Sequence, residues 1–133
     1  MTETVVYVDR STIKEGAVDE VRERIHDLVN FIEEREPQLF GYQFYFDEEV
    51  GRMTVIAIHP DSDSLEMHME IGRSAFAGFA DFIEMQGIDV YGNPSEKVLQ
   101  LLQDKAEMLG DAGRVEVHSP QGGFMRIASR PLR

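Results

Sequence analysis

His68 sits inside an apolar stripe. From Ser64 to Met85 the residues Leu65, Met69, Gly72, Phe76, Phe79, Ala80 and Ile83 recur at three- and four-residue steps, the spacing of one helix face. An imidazole on such a face can act as acid or base, ligate a metal, or hydrogen-bond a ligand carbonyl. It can equally be a core or interface histidine bonded to a backbone carbonyl, and both readings stay open. Arg73 flanks the stripe and faces either a ligand anion or solvent. His59 ends a strand just before Pro60, where strand ends border pockets and where ordinary loop residues also lie. His26 falls among Asp19, Arg22 and Asn30 on a polar helix face, and the sequence gives His118 no role. No histidine pair has the spacing of a metal site with an acidic ligand, so no metal is expected. A nucleophile elbow, a Walker motif and a dinucleotide fingerprint are all missing, and no cofactor is expected.

Aromatic residues form a second concentration. The chain has eight Phe, four Tyr and no Trp, and five of these twelve lie between Phe40 and Phe46. Alternation puts Phe40, Tyr42, Phe44 and Phe46 on one face of a strand, with Leu39 and Tyr45 on the other. The partner strand, Arg52 to His59, is apolar on both faces too: Met53, Val55 and Ala57 against Thr54, Ile56 and Ile58. A sheet with one wet face alternates cleanly between apolar and polar residues. This hairpin needs cover on both faces, and a second copy of the sheet is the natural second cover. Tyr42, Phe44, Phe46, Phe76 and Phe79 are therefore either pocket walls for a flat apolar ligand or plain core. Gly72 and Gly78 cost a helix about 1 kcal/mol each relative to Ala. Close packing and room for a ligand both explain them.

At 133 residues the chain is expected to be a single domain. Twenty-five acidic side chains against 13 basic ones give a net charge of −12. That balance argues against nucleic acid and against anionic membrane surfaces as partners. Zero Cys removes disulfides, thiolate catalysis and zinc–thiolate sites together. No run approaches the ~20 apolar residues of a membrane span, and no signal peptide is readable, so the cytoplasm is the expected location.

These side chains need a frame. Residues 4–9 read as a strand, and residues 17–35 as an amphipathic helix with Val18, Val21, Ile25, Leu28, Val29 and Ile32 on its apolar face. The aromatic hairpin follows, then a second helix over 64–85 and a short strand at 88–91. This β-α-β-β-α-β order is that of a ferredoxin-like antiparallel sheet. Beyond this core (4–91) lies an extension, 94–133. It opens with Asn93 as a helix cap and Pro94 at the first helical position, continues as a helix to Gly110, and ends in strands at 114–118 and 124–127 read as a hairpin. It could cover a pocket, swap onto a partner or lengthen the sheet; contact with a dimer partner is expected.

The order of elements, the strand Val5–Val8, the hairpin and the helix segment Met67-His68-Met69-Glu70-Ile71-Gly72-Arg73-Ser74-Ala75-Phe76-Ala77-Gly78-Phe79 together resemble the antibiotic-biosynthesis-monooxygenase-like family of the dimeric α+β barrel superfamily. The resemblance spans about residues 4–91. It implies a homodimer whose sheets pack face to face, with a pocket between sheet and helices in each subunit. It also implies a cofactor-independent monooxygenase-like activity on a small aromatic or quinol-type molecule. His68 would be the catalytic base or anchor; Tyr42, Phe44, Phe46, His59, Arg73, Phe76 and Phe79 would bind substrate. The family's best-known oxygenases use an Asn, a Trp and an Arg. Here Trp is absent and neither Asn30 nor Asn93 matches, so no catalytic set is carried over. A non-catalytic dimer binding a hydrophobic small molecule, and a haem-binding or haem-degrading protein, are the alternatives.

Overall fold

The computed structural model describes residues 3–110 and 114–126. Strand β1 (Val5–Ile13) leads into helix α1 (Val18–Arg35), followed by β2 (Gly41–Asp47), β3 (Arg52–His59), helix α2 (Ser62–Ala77), β4 (Ile83–Tyr91), helix α3 (Glu96–Leu109) and β5 (Val115–His118). The sheet order is β2-β3-β1-β4-β5. The first four strands are antiparallel neighbours, as in a ferredoxin-like sheet, and β5 adds to the β4 edge in parallel. The fold is α+β.

Register decides which side chains meet. Tyr7 pairs with Ala57, Asp9 with Val55, and Tyr42, Phe44 and Phe46 with Ala57, Val55 and Met53. All of these point to the helix side. Their apolar members join one core with Val21, Leu28, Ile32, Leu65, Phe76, Val98 and Leu102 from the helices. The other face carries Val6, Val8, Ile56 and Ile58, none of which belongs to that core, and Tyr45 and Tyr91 there are 51% and 43% exposed. No described helix covers this second face, as the two-sided hairpin pattern anticipates.

Four boundaries differ from expectation, each for a local reason. β1 runs on to Ile13, because Ser11 and Ile13 continue the inward alternation of Val5, Tyr7 and Asp9. Helix α2 ends at Ala77 rather than Met85. The chain then tightens, with Phe79 N–H on the Phe76 carbonyl and Phe82 N–H on that of Phe79. Phe79 and Ala80 therefore lie in the turn, and Ile83 and Met85 alternate inward on β4. Their spacing from Phe76 mimics a helix face. Third, Ser95 caps α3 in place of Asn93: its Oγ accepts the Val98 N–H at 3.1 Å, so Pro94 stands ahead of the cap. Fourth, 114–118 pairs with β4 rather than with 124–126, which forms no strand; Ile127 lies outside the described residues.

The extension thus does two of the three things considered for it. Helix α3 packs on α2 and β4 over the helix side of the sheet, and β5 lengthens the sheet. No helix among the described residues is long and apolar enough to cross a membrane.

Candidate active site

A small cavity of about 30 Å³ lies between the sheet and the helices. Tyr7, Asp9, Tyr42 and Phe44 line it from the strands, His68 and Phe76 from α2, and Lys105 from α3. That volume holds about one water molecule. Two clefts of about 270 Å³ flank it. One, between α1 and β2, shares Tyr42 with the cavity and reaches Glu36; the other, between α2 and α3, shares Phe76 and Lys105.

His68 is 1% exposed, and its partner is Glu36. The ring Nδ1 lies 3.0 and 2.9 Å from the two Glu36 carboxylate oxygens. Glu36 is itself 3% exposed. It caps the end of α1, one helical turn beyond Ile32, and its backbone N–H bonds the Ile32 carbonyl. Burial pushes the Glu36 carboxyl up to about 7. Burial, with help from the Lys105 charge, pulls the His68 imidazole down to about 3. The ring is therefore neutral, and once Glu36 is ionised, above about pH 7, an Nδ1–H donated to it leaves Nε2 as the free nitrogen.

Three aromatic or imidazole rings surround His68. Tyr42 and His59 meet it edge-on at 5.1 and 5.3 Å between centroids, and Phe76 lies tilted against it at 5.2 Å. Tyr42 in turn stands edge-on to Phe44 at 5.1 Å. Phe76 folds back over Gly72: a Cβ there would sit 2.3 Å from the ring Cζ. Of the two readings of Gly72, close packing is the one observed.

The remaining sequence candidates scatter. His59 is fully buried behind His68, with Nδ1 2.8 Å from Ser64 Oγ, and it does not line the cavity. Phe79 lines the cavity from the turn after α2. Phe46 packs against the core at the far end of β2, under the Arg22 guanidinium at 5.3 Å. Arg73 is exposed and borders the α2–α3 cleft instead of the cavity. His26 is exposed, and His118 bonds Asp89 Oδ1 at 2.9 Å on the opposite sheet face. Asp89, Glu116 and His118 bring ligand atoms within 4.8 Å of one another. Arginines already answer both carboxylates, Arg10 at Asp89 and Arg114 at Glu116, which leaves the trio internally satisfied.

Sequence reasoning missed four cavity-side groups: Tyr7, Asp9, Glu36 and Lys105. Lys105 Nζ donates to the Tyr7 hydroxyl at 2.8 Å, and that hydroxyl donates to Asp9 Oδ2. Burial raises Tyr7 and Asp9 above their usual ranges and lowers Lys105, with the Asp9 and Lys105 charges opposing these shifts in each other.

Neither a family model nor a curated protein sequence matches the chain. Solved structures do. MupZ from Pseudomonas fluorescens superposes with a TM-score of 0.74 at 16% identity, over 94% of this chain and 96% of its own. SnoaB, a cofactor-independent oxygenase from Streptomyces nogalater, superposes at 0.59 with 14% identity, over 71% of this chain and 96% of its own. A candidate antibiotic biosynthesis monooxygenase from Caulobacter crescentus gives 0.60 and 19%, over 71% and 92%. The fold is that of the antibiotic-biosynthesis-monooxygenase proteins. MupZ, unlike the other two, matches nearly the whole chain, extension included.

Proposed function

We propose that this protein is a cofactor-independent monooxygenase-like enzyme for a small aromatic or quinol-type molecule, working as a homodimer. The observation that carries the reading is the buried His68–Glu36 pair at an aromatic-walled cavity. Above about pH 7, where Glu36 is ionised, a neutral imidazole whose Nδ1–H it holds can take a proton at Nε2, and the carboxylate offsets the burial that otherwise disfavours the imidazolium. Deprotonation of a ring hydroxyl makes the substrate electron-rich enough to react with dioxygen. One oxygen atom joins the ring and the other leaves as water with two hydrogens, so the ring ends as a quinone and supplies the electrons itself. The dry surroundings strengthen each charge interaction.

The cavity is too small for a ring, and Phe76 lines both it and the α2–α3 cleft, so binding would have Phe76 swing out toward that cleft. Arg73, which lines that cleft, would meet an anionic substituent there. The fold supports the dimer reading, as do Val6, Val8, Ile56, Ile58, Tyr45 and Tyr91 on the sheet face without helices. A hydrophobic-molecule carrier and a haem protein draw no separate support from this site. Oxygen uptake with naphthohydroquinone tests the proposal: enzyme-dependent uptake that falls roughly a hundredfold or more in His68→Gln supports it. Tight binding without turnover would make the protein a carrier instead.

A further inference from the structure

Two nitrogen-bearing side chains press on the Phe76 ring. The His68 ring lies 5.2 Å from it between centroids, and Lys105 Nζ lies 4.0 Å from its centroid. Lys105 comes from α3, outside the β1–β4 core, and the chemistry above leaves it without a task.

An ammonium only 7% exposed must be compensated. Its compensation is incomplete. Nζ donates one hydrogen bond, to the Tyr7 hydroxyl at 2.8 Å, and sits 3.6 Å from Asp9 Oδ2. An ammonium has three donors. Asp9 Oδ2 takes the Tyr7 hydroxyl proton, but Asp9 Oδ1 is buried with no partner among the described residues. Asp9 and Lys105 both line the inner cavity. Lys105 with a donor to spare and Asp9 with an unpartnered oxygen, both lining one cavity, suit an atom that accepts and donates at once: the space fits one water, and a ligand hydroxyl can take that water's place.

We propose that Lys105, Asp9 and Tyr7 form a hydroxyl-binding subsite that takes a phenol-type OH and holds it as the oxyanion against the Lys105 ammonium. The inference deepens the functional reading above and rests on it for the class of ring; the subsite itself needs no dioxygen. On ionisation the ligand O–H bond breaks, the proton passes to Asp9 Oδ1, and the electron pair stays on the ligand oxygen beside Nζ; on a quinol this is the hydroxyl other than the one that His68 deprotonates. Burial already biases Asp9 toward holding a proton. The titratable and charged groups around this spot are Tyr7, Asp9 and Arg10 on β1, Tyr42 on β2, His59 on β3, His68 on α2 and, through Tyr42, Glu36 at the end of α1. Helix α3 then brings a working group to the site as well as covering it.

The test is anaerobic binding of 4-nitrophenol, colourless when neutral and yellow as the anion. At a pH where the free probe is mostly neutral, wild type should bind it as the yellow anion. Lys105→Met should show an anion fraction at least tenfold smaller. Because Lys105→Met removes a buried charge partner and can unfold the chain, wild type supplies a second readout. With Lys14, Lys97 and Lys105 as its lysines, a lysine-labelled carbon NMR spectrum should show the probe shifting Lys105 alone. A neutral bound probe, equal colour in wild type and Lys105→Met, no binding, or no shift at Lys105 would overturn the subsite. Anion formation at Lys105 without oxygen uptake on quinols would keep the subsite and sink the oxygenase reading.

Discussion

The carboxylate of Glu36 grips the imidazole of His68 with both oxygens, at 3.0 and 2.9 Å, across 32 residues of sequence. One residue ends α1 and the other stands mid-α2, so the pair clamps the two helices together and also fixes which ring nitrogen is free. Glu36→Gln keeps the shape and loses the charge. The expected result is a folded protein with kcat down about tenfold or more and KM little changed, since the imidazolium loses its counter-charge while the cavity walls stay. Steady-state kinetics on a quinol checks it; unchanged kcat would remove Glu36 from the mechanism.

Stability should follow pH through the same groups. Burial draws His59 and His68 down to about 3 from 6.5, so between those values the unfolded chain holds the extra protons and stability falls as pH drops. Glu36 runs the other way: it is lifted from 4.5 to about 7, so the folded chain holds the extra proton there and stability falls as pH rises. His59→Asn should therefore lessen the acid sensitivity between pH 6.5 and 3 by up to about 1.4 kcal/mol per pH unit. Glu36→Gln should remove the opposing trend between 4.5 and 7. Denaturant midpoints measured across pH decide it, and an unchanged slope in His59→Asn would contradict the buried neutral histidine.

Gly72→Ala sets two effects against each other. Alanine favours the helix by about 1 kcal/mol. Its Cβ would meet the Phe76 ring at 2.3 Å in a packed interior, where overpacking costs about 1–3 kcal/mol. We expect net destabilisation, relieved when Phe76→Leu is added. Urea unfolding of the single and double variants measures it. A more stable Gly72→Ala would mean that the ring leaves Gly72 for the α2–α3 cleft at almost no cost even without a ligand.

How much of this was legible in the chain is best seen at particular residues. The alternation of Tyr42, Phe44 and Phe46 and the periodicity of α1 marked the core and its inward face. His68 stood out because it interrupts an apolar stripe. Lys105 and Glu36 carried the same signal and went unread: Lys105 falls in step with Val98, Leu102 and Leu109, and Glu36 in step with Leu28 and Ile32. A charged residue at a helix end or on a charged helix is easily taken for surface. Asp9 shares inward parity with Val5 and Tyr7, yet a strand's last residues are commonly loop-like, and its strand continues to Ile13. The overlong second helix came from Phe76, Phe79 and Ile83, whose spacing fits a helix although a turn separates them. The Glu36–His68 contact is tertiary and no local pattern announces it.

The uncovered sheet face makes its own forecast. Ile56→Lys places a charge among Val6, Val8 and Ile58, on the face that the dimer would bury. The variant should sediment as a folded monomer at concentrations where wild type is dimeric. A dimer of unchanged affinity would mean that the subunits pair elsewhere.

The most direct test of the central claim is the initial rate of oxygen uptake with naphthohydroquinone, wild type beside His68→Gln. Wild type should take up oxygen and form quinone, and His68→Gln should lose roughly a hundredfold or more of that rate although its fold is intact. Equal rates in the two proteins, or none above the enzyme-free background in wild type, would contradict it.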